Sequence, residues 1–238
     1  MLATPSPPMN TSPFLATPGR SAVLLALAMP VVTSTAHAQT YSGSDSVFAP
    51  RSWTVTVKGN NPTQSGSATQ DVGGYGAGVN AWTSTVNPGG PDDTWTVSIF
   101  EGFSYNPSSA PGTPGGVTLS FDSRWITRAF SGVGPALRQG STVWAGYQTS
   151  PNVNSSTWTT YSYSGWSTLL AGTSSMPAPD FSAGAAPIYF GFFQRNGGGG
   201  PNQSQFANFS VAVTVPSPAA LSSAMVATLM SGRRRRSR

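Results

Sequence analysis

Few residues in this chain could carry covalent chemistry. There is no cysteine and a single histidine, His37, so cysteine nucleophiles, cysteine zinc sites and disulfides are excluded. The acids that could work as a pair are Glu101, the one glutamate of the chain, and Asp122. Glycoside hydrolysis needs two carboxylates across the scissile bond, about 5–5.5 Å apart for retention and 6.5–9.5 Å for inversion. Glu101 has the strand parity of Trp95, Val97, Ile99 and Phe103, an unusual face for a carboxylate. In the competing reading it closes a strand at Gly102 and pairs with an arginine such as Arg124. That reading makes the chain non-catalytic, and it is the expectation adopted; a weak glycoside hydrolase using Glu101 is the alternative.

Non-covalent recognition has more material. Trp144, Tyr147, Trp158, Tyr161, Tyr163 and Trp166 crowd one stretch of the chain. Flat rings with a polar edge stack on sugar faces while neighbouring hydroxyls and amides bond the sugar hydroxyls. Trp144, Trp158, Tyr161, Tyr163 and Trp166 are therefore the carbohydrate-binding candidates. On one strand Tyr161 and Tyr163 share a face and Trp158 and Trp166 the other, so only one pair can meet solvent and the rest belong to the core. No cofactor is expected. Asp71 with Asn80, or Asp92 with Asp93, could offer oxygens to calcium, but their spacing matches no calcium loop. Gly197–Gly200 is not followed by Lys-Ser/Thr and is read as a hairpin connection.

The formal charge of +5 is a terminal effect. Arg20, Arg233, Arg234, Arg235, Arg236 and Arg238 lie outside 39–215, whereas that span holds six cations against seven acids, a net charge of −1. A nucleic-acid partner would need cations spread over one face, so nucleic acid is rejected.

Alternation of apolar and polar residues sets the architecture. Trp53, Val55 and Val57 alternate with Thr54, Thr56 and Lys58; the same pattern covers 94–99, 117–122 and 208–215. Each such segment reads as a strand with one wet and one buried face. Further strands are expected over 75–86, 141–148, 156–164 and 187–194. Turn-forming Gly, Pro and Asn punctuate them, for example at Asn87–Gly90 and Pro111–Gly116. With no segment of helical period, the span 39–215 is expected to be one all-β sandwich or jelly roll.

Both ends read as targeting segments. Residues 22–32 form a short apolar run after Arg20, and Ala36-His37-Ala38 places small residues before a cleavage that would start the mature chain at Gln39. Residues 1–38 are thus expected to be a signal peptide, with translation beginning at Met1 or Met9. The other end has Val215-Pro216-Ser217-Pro218, a mildly apolar stretch, then Arg233, Arg234, Arg235 and Arg236. Arginines beyond an apolar stretch stay on the cytoplasmic side. Residues 216–238 resemble the PEP-CTERM sorting signals of bacterial surface proteins, with Ser217 where the name-giving motif has glutamate. That resemblance implies recognition by an exosortase-type membrane protease and transfer to the cell envelope or extracellular matrix. Membrane contact is expected only through this tail.

A second resemblance concerns the fold. Pro179-Asp180-Phe181-Ser182, Pro187–Phe192 and Phe206-Ala207-Asn208-Phe209-Ser210-Val211 follow one another in an order similar to the closing strands of concanavalin A-like (laminin G-like) sandwiches. The run Gly134–Gly140 before Val143-Trp144 is similar to exported bacterial members of that type. The paired glutamates of jelly-roll glucanases have no counterpart: Ser98–Phe103 holds one acid. The resemblance implies a sandwich fold and carries no active site with it. Polysaccharide or cell-surface proteins are the partners expected of the chain; a matrix component that binds no glycan remains the alternative.

Overall fold

The computed structural model describes residues 38–59, 62–89, 93–109, 114–127, 131–145, 156–171, 173, 175–197 and 200–216. Ala36, the stretch from Ser217 and Pro218 to Arg233, Arg234, Arg235 and Arg236, and also Tyr147 and Asp92 lie outside the described residues. In chain order the strands are β1 (Gln39–Asp45), β2 (Trp53–Gly59), β3 (Ser65–Gly76), β4 (Val79–Asn87), β5 (Thr94–Tyr105), β6 (Gly116–Thr127), β7 (Ser131–Gln139), β8 (Thr142–Ala145), β9 (Thr159–Ser164), β10 (Ile188–Asn196) and β11 (Asn202–Val215). One short helix, α1 (Trp166–Leu169), follows β9.

The strands form an all-β sandwich of two antiparallel sheets. The first has the order β3-β4-β11-β6-β9, with β1 also on β11; the second has the order β2-β5-β10-β7-β8. β11 is long enough to take β4 along its first half and β1 along its second, while β6 runs down its other side. The chain crosses from the first sheet to the second between β1 and β2. There Asp45 accepts bonds from the backbone N–H of Val47 and Phe48 through Oδ1 and from Trp53 Nε1 through Oδ2. Phe48 takes a left-handed backbone (φ 51°), costly for a bulky residue. Its ring is fully buried between Trp53 and Trp82, and that burial offsets the strain.

Aromatic rings from both sheets build the core. Phe192 of β10 stacks on Phe206 of β11 with centroids 4.1 Å apart, and Trp53 touches Phe100, Phe192 and Phe209. The expected strands over 53–58, 117–122 and 208–215 form with Trp53, Leu119 and Val211 inward. On β5 the faces are the reverse of the simple reading. Thr94, Thr96 and Ser98 point at the first sheet, where Ser98 Oγ accepts from Trp82 Nε1 and Thr96 Oγ1 donates to the carbonyl of Thr85. Val97 and Ile99 point outward, yet both are buried in a second cluster with Ala136, Val143 and Phe193. The outer side of this sheet therefore holds a small apolar cluster of its own.

Sequence reading missed β1, β3 and β7. The run Gly134–Gly140, expected ahead of a strand, is mostly β7 itself, and Pro135 lies outside the stretch that β8 pairs, a position where a missing N–H is tolerated. Where β10 runs beside β5, a Cβ on Gly191 would lie 1.9 Å from the Ser98 carbonyl oxygen, so only glycine lets the two backbones approach this closely.

Candidate functional site

The second sheet curls into a trough. Lys58 on edge strand β2 donates a 2.7 Å bond from Nζ to the carbonyl of Val143 on the opposite edge strand β8. In a flat sheet those edges would stand four spacings of about 4.8 Å apart, roughly 19 Å, beyond a lysine's reach. The edges must bend toward each other over the outer face.

Register decides which side chains enter the trough. Thr54, Thr56 and Lys58 of β2 pair with Ile99, Val97 and Trp95 of β5, and Val97 and Trp95 pair in turn with Phe193 and Arg195 of β10. Tyr189 pairs with Arg138 of β7, which pairs with Val143. The floor is Val97, Ile99, Ala136, Phe193 and Val143, and the half-buried rings of Trp95 and Tyr189 pack on it. Each ring is held by a guanidinium: Arg138 lies 4.5 Å from the Tyr189 centroid and Arg195 lies 5.7 Å from that of Trp95. Such cation–π contacts fix the rings' tilt.

The guanidiniums are fixed in turn. Arg138 grips Glu101 with both Nη atoms, at 2.7 and 2.8 Å, and Thr54 Oγ1 donates to the same carboxylate at 2.6 Å. Arg195 pairs with Asp93. The predicted partner of Glu101, Arg124, is on the first sheet instead, because β6 belongs there. Burial lowers the Lys58 pKa from its ordinary value. Trp95 Nε1 is buried with no hydrogen-bond partner among the described residues. The arrangement can present two preset aromatic faces, threonine hydroxyls and one ammonium to a ligand in the trough.

The aromatic candidates of 144–166 do not form one platform. Trp144 and Tyr163 are buried in the main core; Trp144 donates from Nε1 to the Pro177 carbonyl at 2.9 Å. Tyr161 packs inward on Phe121, and burial raises its pKa. Trp166 is not on the face of Trp158, because β9 ends at Ser164 and the chain turns at Gly165 (φ 83°). Trp166 then packs against Phe181.

Trp158 alone reaches the outer face of the first sheet. Arg124 lies over its ring at 4.7 Å and Tyr75 sits 4.6 Å away at a 54° tilt. Asp122 anchors this patch, accepting from Tyr75 Oη at 2.7 Å, Asn208 Nδ2 at 2.7 Å and Thr160 Oγ1 at 2.6 Å. The Asp122 carboxylate that takes its hydroxyl raises the Tyr75 pKa. Asn208 has a left-handed backbone, φ 50°, which asparagine tolerates.

The two acids considered for hydrolysis are not neighbours. Glu101 faces the trough of the second sheet, and Asp122 faces outward from the first. The calcium candidates are engaged in structural bonds. Asp71 accepts from Gln205, Asn80 bonds Gly73 and Val47, and Asp93 holds Arg195. Among the described residues no three metal-ligating side chains gather. No described helix is long and apolar enough to cross a membrane.

Sequence reading missed Trp95, Tyr189, Arg138 and Tyr75. The signal that could have found Trp95 was its parity with Glu101 on a strand whose apolar residues were assigned inward.

No protein-family profile matches the chain, and no curated protein matches it. Among solved structures it is similar to a family 11 carbohydrate-binding module from Clostridium thermocellum in complex with a β-1,3-1,4-mixed-linked tetrasaccharide, at 12% identity and TM-score 0.41, covering 71% of this chain and 94% of that one. A carbohydrate-binding module of the β-sandwich superfamily described for promiscuous specificity matches at 13% identity and TM-score 0.43, over 73% of this chain and 74% of its own. A module described for specific mannan recognition matches at 10% identity and TM-score 0.35, over 74% of this chain and 98% of its own.

Proposed function

We propose that this chain is an exported, envelope-associated module that binds extracellular polysaccharide in the trough of its second sheet and has no catalytic role. The observation that carries the reading is the pair of trough aromatics, Trp95 and Tyr189, each preset by a paired guanidinium. Rings locked before the ligand arrives lose little conformational entropy on binding. The support for export is the apolar run and Ala36-His37-Ala38. The support for tethering through an exosortase-type protease is Val215-Pro216-Ser217-Pro218 with the terminal arginines. Trp158, with Tyr75 and Arg124, is a second point of glycan contact on the opposite face.

Affinity electrophoresis of the full chain through gels containing single polysaccharides tests the reading. Retardation by a polymer, abolished in a folded Trp95→Ala, Tyr189→Ala double variant, is the expected result. Retardation lost only in Trp158→Ala would move the site to the first sheet. No retardation by any polymer, with self-assembly in its place, would make the chain a structural matrix component.

A further inference from the structure

Among the described residues the charges lining the trough do not balance. Glu101 is taken by Arg138 and Asp93 by Arg195, while no carboxylate among the described residues reaches Lys58. Its one hydrogen bond among the described residues goes to a neutral carbonyl, that of Val143. An ammonium has three donors, so two remain for a ligand. Lys58 stands opposite Trp95 in the register, and its ammonium reaches across the trough to Val143, the β8 partner of Arg138. The ammonium is partly withdrawn from water, which disfavours its charged form, and an arriving anion would reverse that penalty. A charge-assisted bond in such a place is stronger than one at an open surface.

Building on the glycan reading above, we propose that the trough selects an acidic polysaccharide, one of whose anionic groups takes the two remaining Lys58 donors while its sugar rings lie against Trp95 and Tyr189. The ligand is a chain carrying carboxylate or sulfate groups. The trough would hold a neutral chain by its rings alone.

The test runs the full chain in affinity gels containing polygalacturonate, its carboxyl-reduced form, dextran sulfate or dextran. The expected result is retardation by polygalacturonate that weakens as salt rises and falls about tenfold on carboxyl reduction, the loss of one charge-assisted bond. Equal retardation by dextran sulfate would name the anion in general; none by dextran sulfate would name the carboxylate. Lys58→Gln should lose the same factor toward the acidic polymer and nothing toward the reduced one, and Lys58→Arg should keep the preference. If Lys58→Gln does not fold, the salt dependence and the carboxyl-reduced comparison still decide. Equal binding of acidic and reduced polymers overturns the selection but leaves the glycan site standing. Loss of all binding dependence on Trp95 and Tyr189 overturns the site itself. If Lys58 is only a strap, Lys58→Gln lowers stability and leaves the acidic-to-neutral ratio unchanged.

Discussion

Glu101 and Asp122 point away from each other, out of opposite sheets, with both layers of the sandwich between them. Each is saturated where it stands: Glu101 by Arg138 and Thr54, Asp122 by Tyr75, Thr160 and Asn208. Stacked sheets lie about 10 Å apart, so no sugar could sit between these carboxylates on either face. Glu101→Gln should therefore leave reducing-sugar release from any polysaccharide unchanged. It should cost about 1 kcal/mol of stability, since the bidentate pair is partly exposed, as read by urea unfolding.

Trp144 and Trp95 separate the two uses of tryptophan. Trp144→Ala removes a buried indole and its bond to Pro177, and should destabilise the fold by about 3–5 kcal/mol. Trp95 is half-buried and lines the trough, so Trp95→Ala should cost less stability and take polysaccharide binding with it. Parallel urea titrations and affinity gels check both. Equal stability losses would place Trp95 in the core.

Alkaline pH should act on stability in two opposed steps. Burial lowers Lys58 from its ordinary value of 10.5, so the native state releases this proton before the unfolded chain does. Stability should rise with pH between the lowered value and 10.5. Tyr75, Tyr105 and Tyr161 are raised above 10.0, the first chiefly by the bond to Asp122 and the others by burial. Stability from these groups is present below pH 10 and lost as pH rises through their folded values. Urea midpoints against pH, with absorbance at 295 nm for tyrosinate, should show the rise and then the fall. Lys58→Met should remove only the rise.

Deleting residues 216–238 should release the protein from producing cells into the medium. Immunoblots of surface and medium fractions check this. Unchanged retention on cells carrying the deletion would end the tethering proposal.

Strands with one wet face were legible in the sequence, and those with two covered faces were misread. At β2, β6 and β11 the alternation placed Trp53, Leu119 and Val211 correctly inward. At β5 the same rule put Val97 and Ile99 on the wrong side, because the curl of the second sheet buries its outer face too and period-two patterning cannot distinguish two buried faces. The trough stayed hidden for the same reason. Arg138 and Glu101 meet only through the order β5-β10-β7, and nothing local in the sequence sets that order. The dense aromatics of 144–166 drew notice by number, but Trp144 and Tyr163 serve packing. Asp122 and Asn208 lie far apart in the chain, and the pairing of β6 with β11 joins them.

The position of β11 also sets the order in which the molecule can be made. It is the last of the described strands and the inner member of the first sheet, bonded to β1, β4 and β6. Gln39 at the start of β1 cannot meet its partner Val215 until nearly the whole chain has left the ribosome. Pairings across such sequence separations form slowly. While β11 is missing, the first sheet has no centre, and Trp53 and Phe192 lack their contacts with Phe206 and Phe209. The first sheet can therefore close only once β11 has been made, so its completion waits on synthesis of the rest of the described chain.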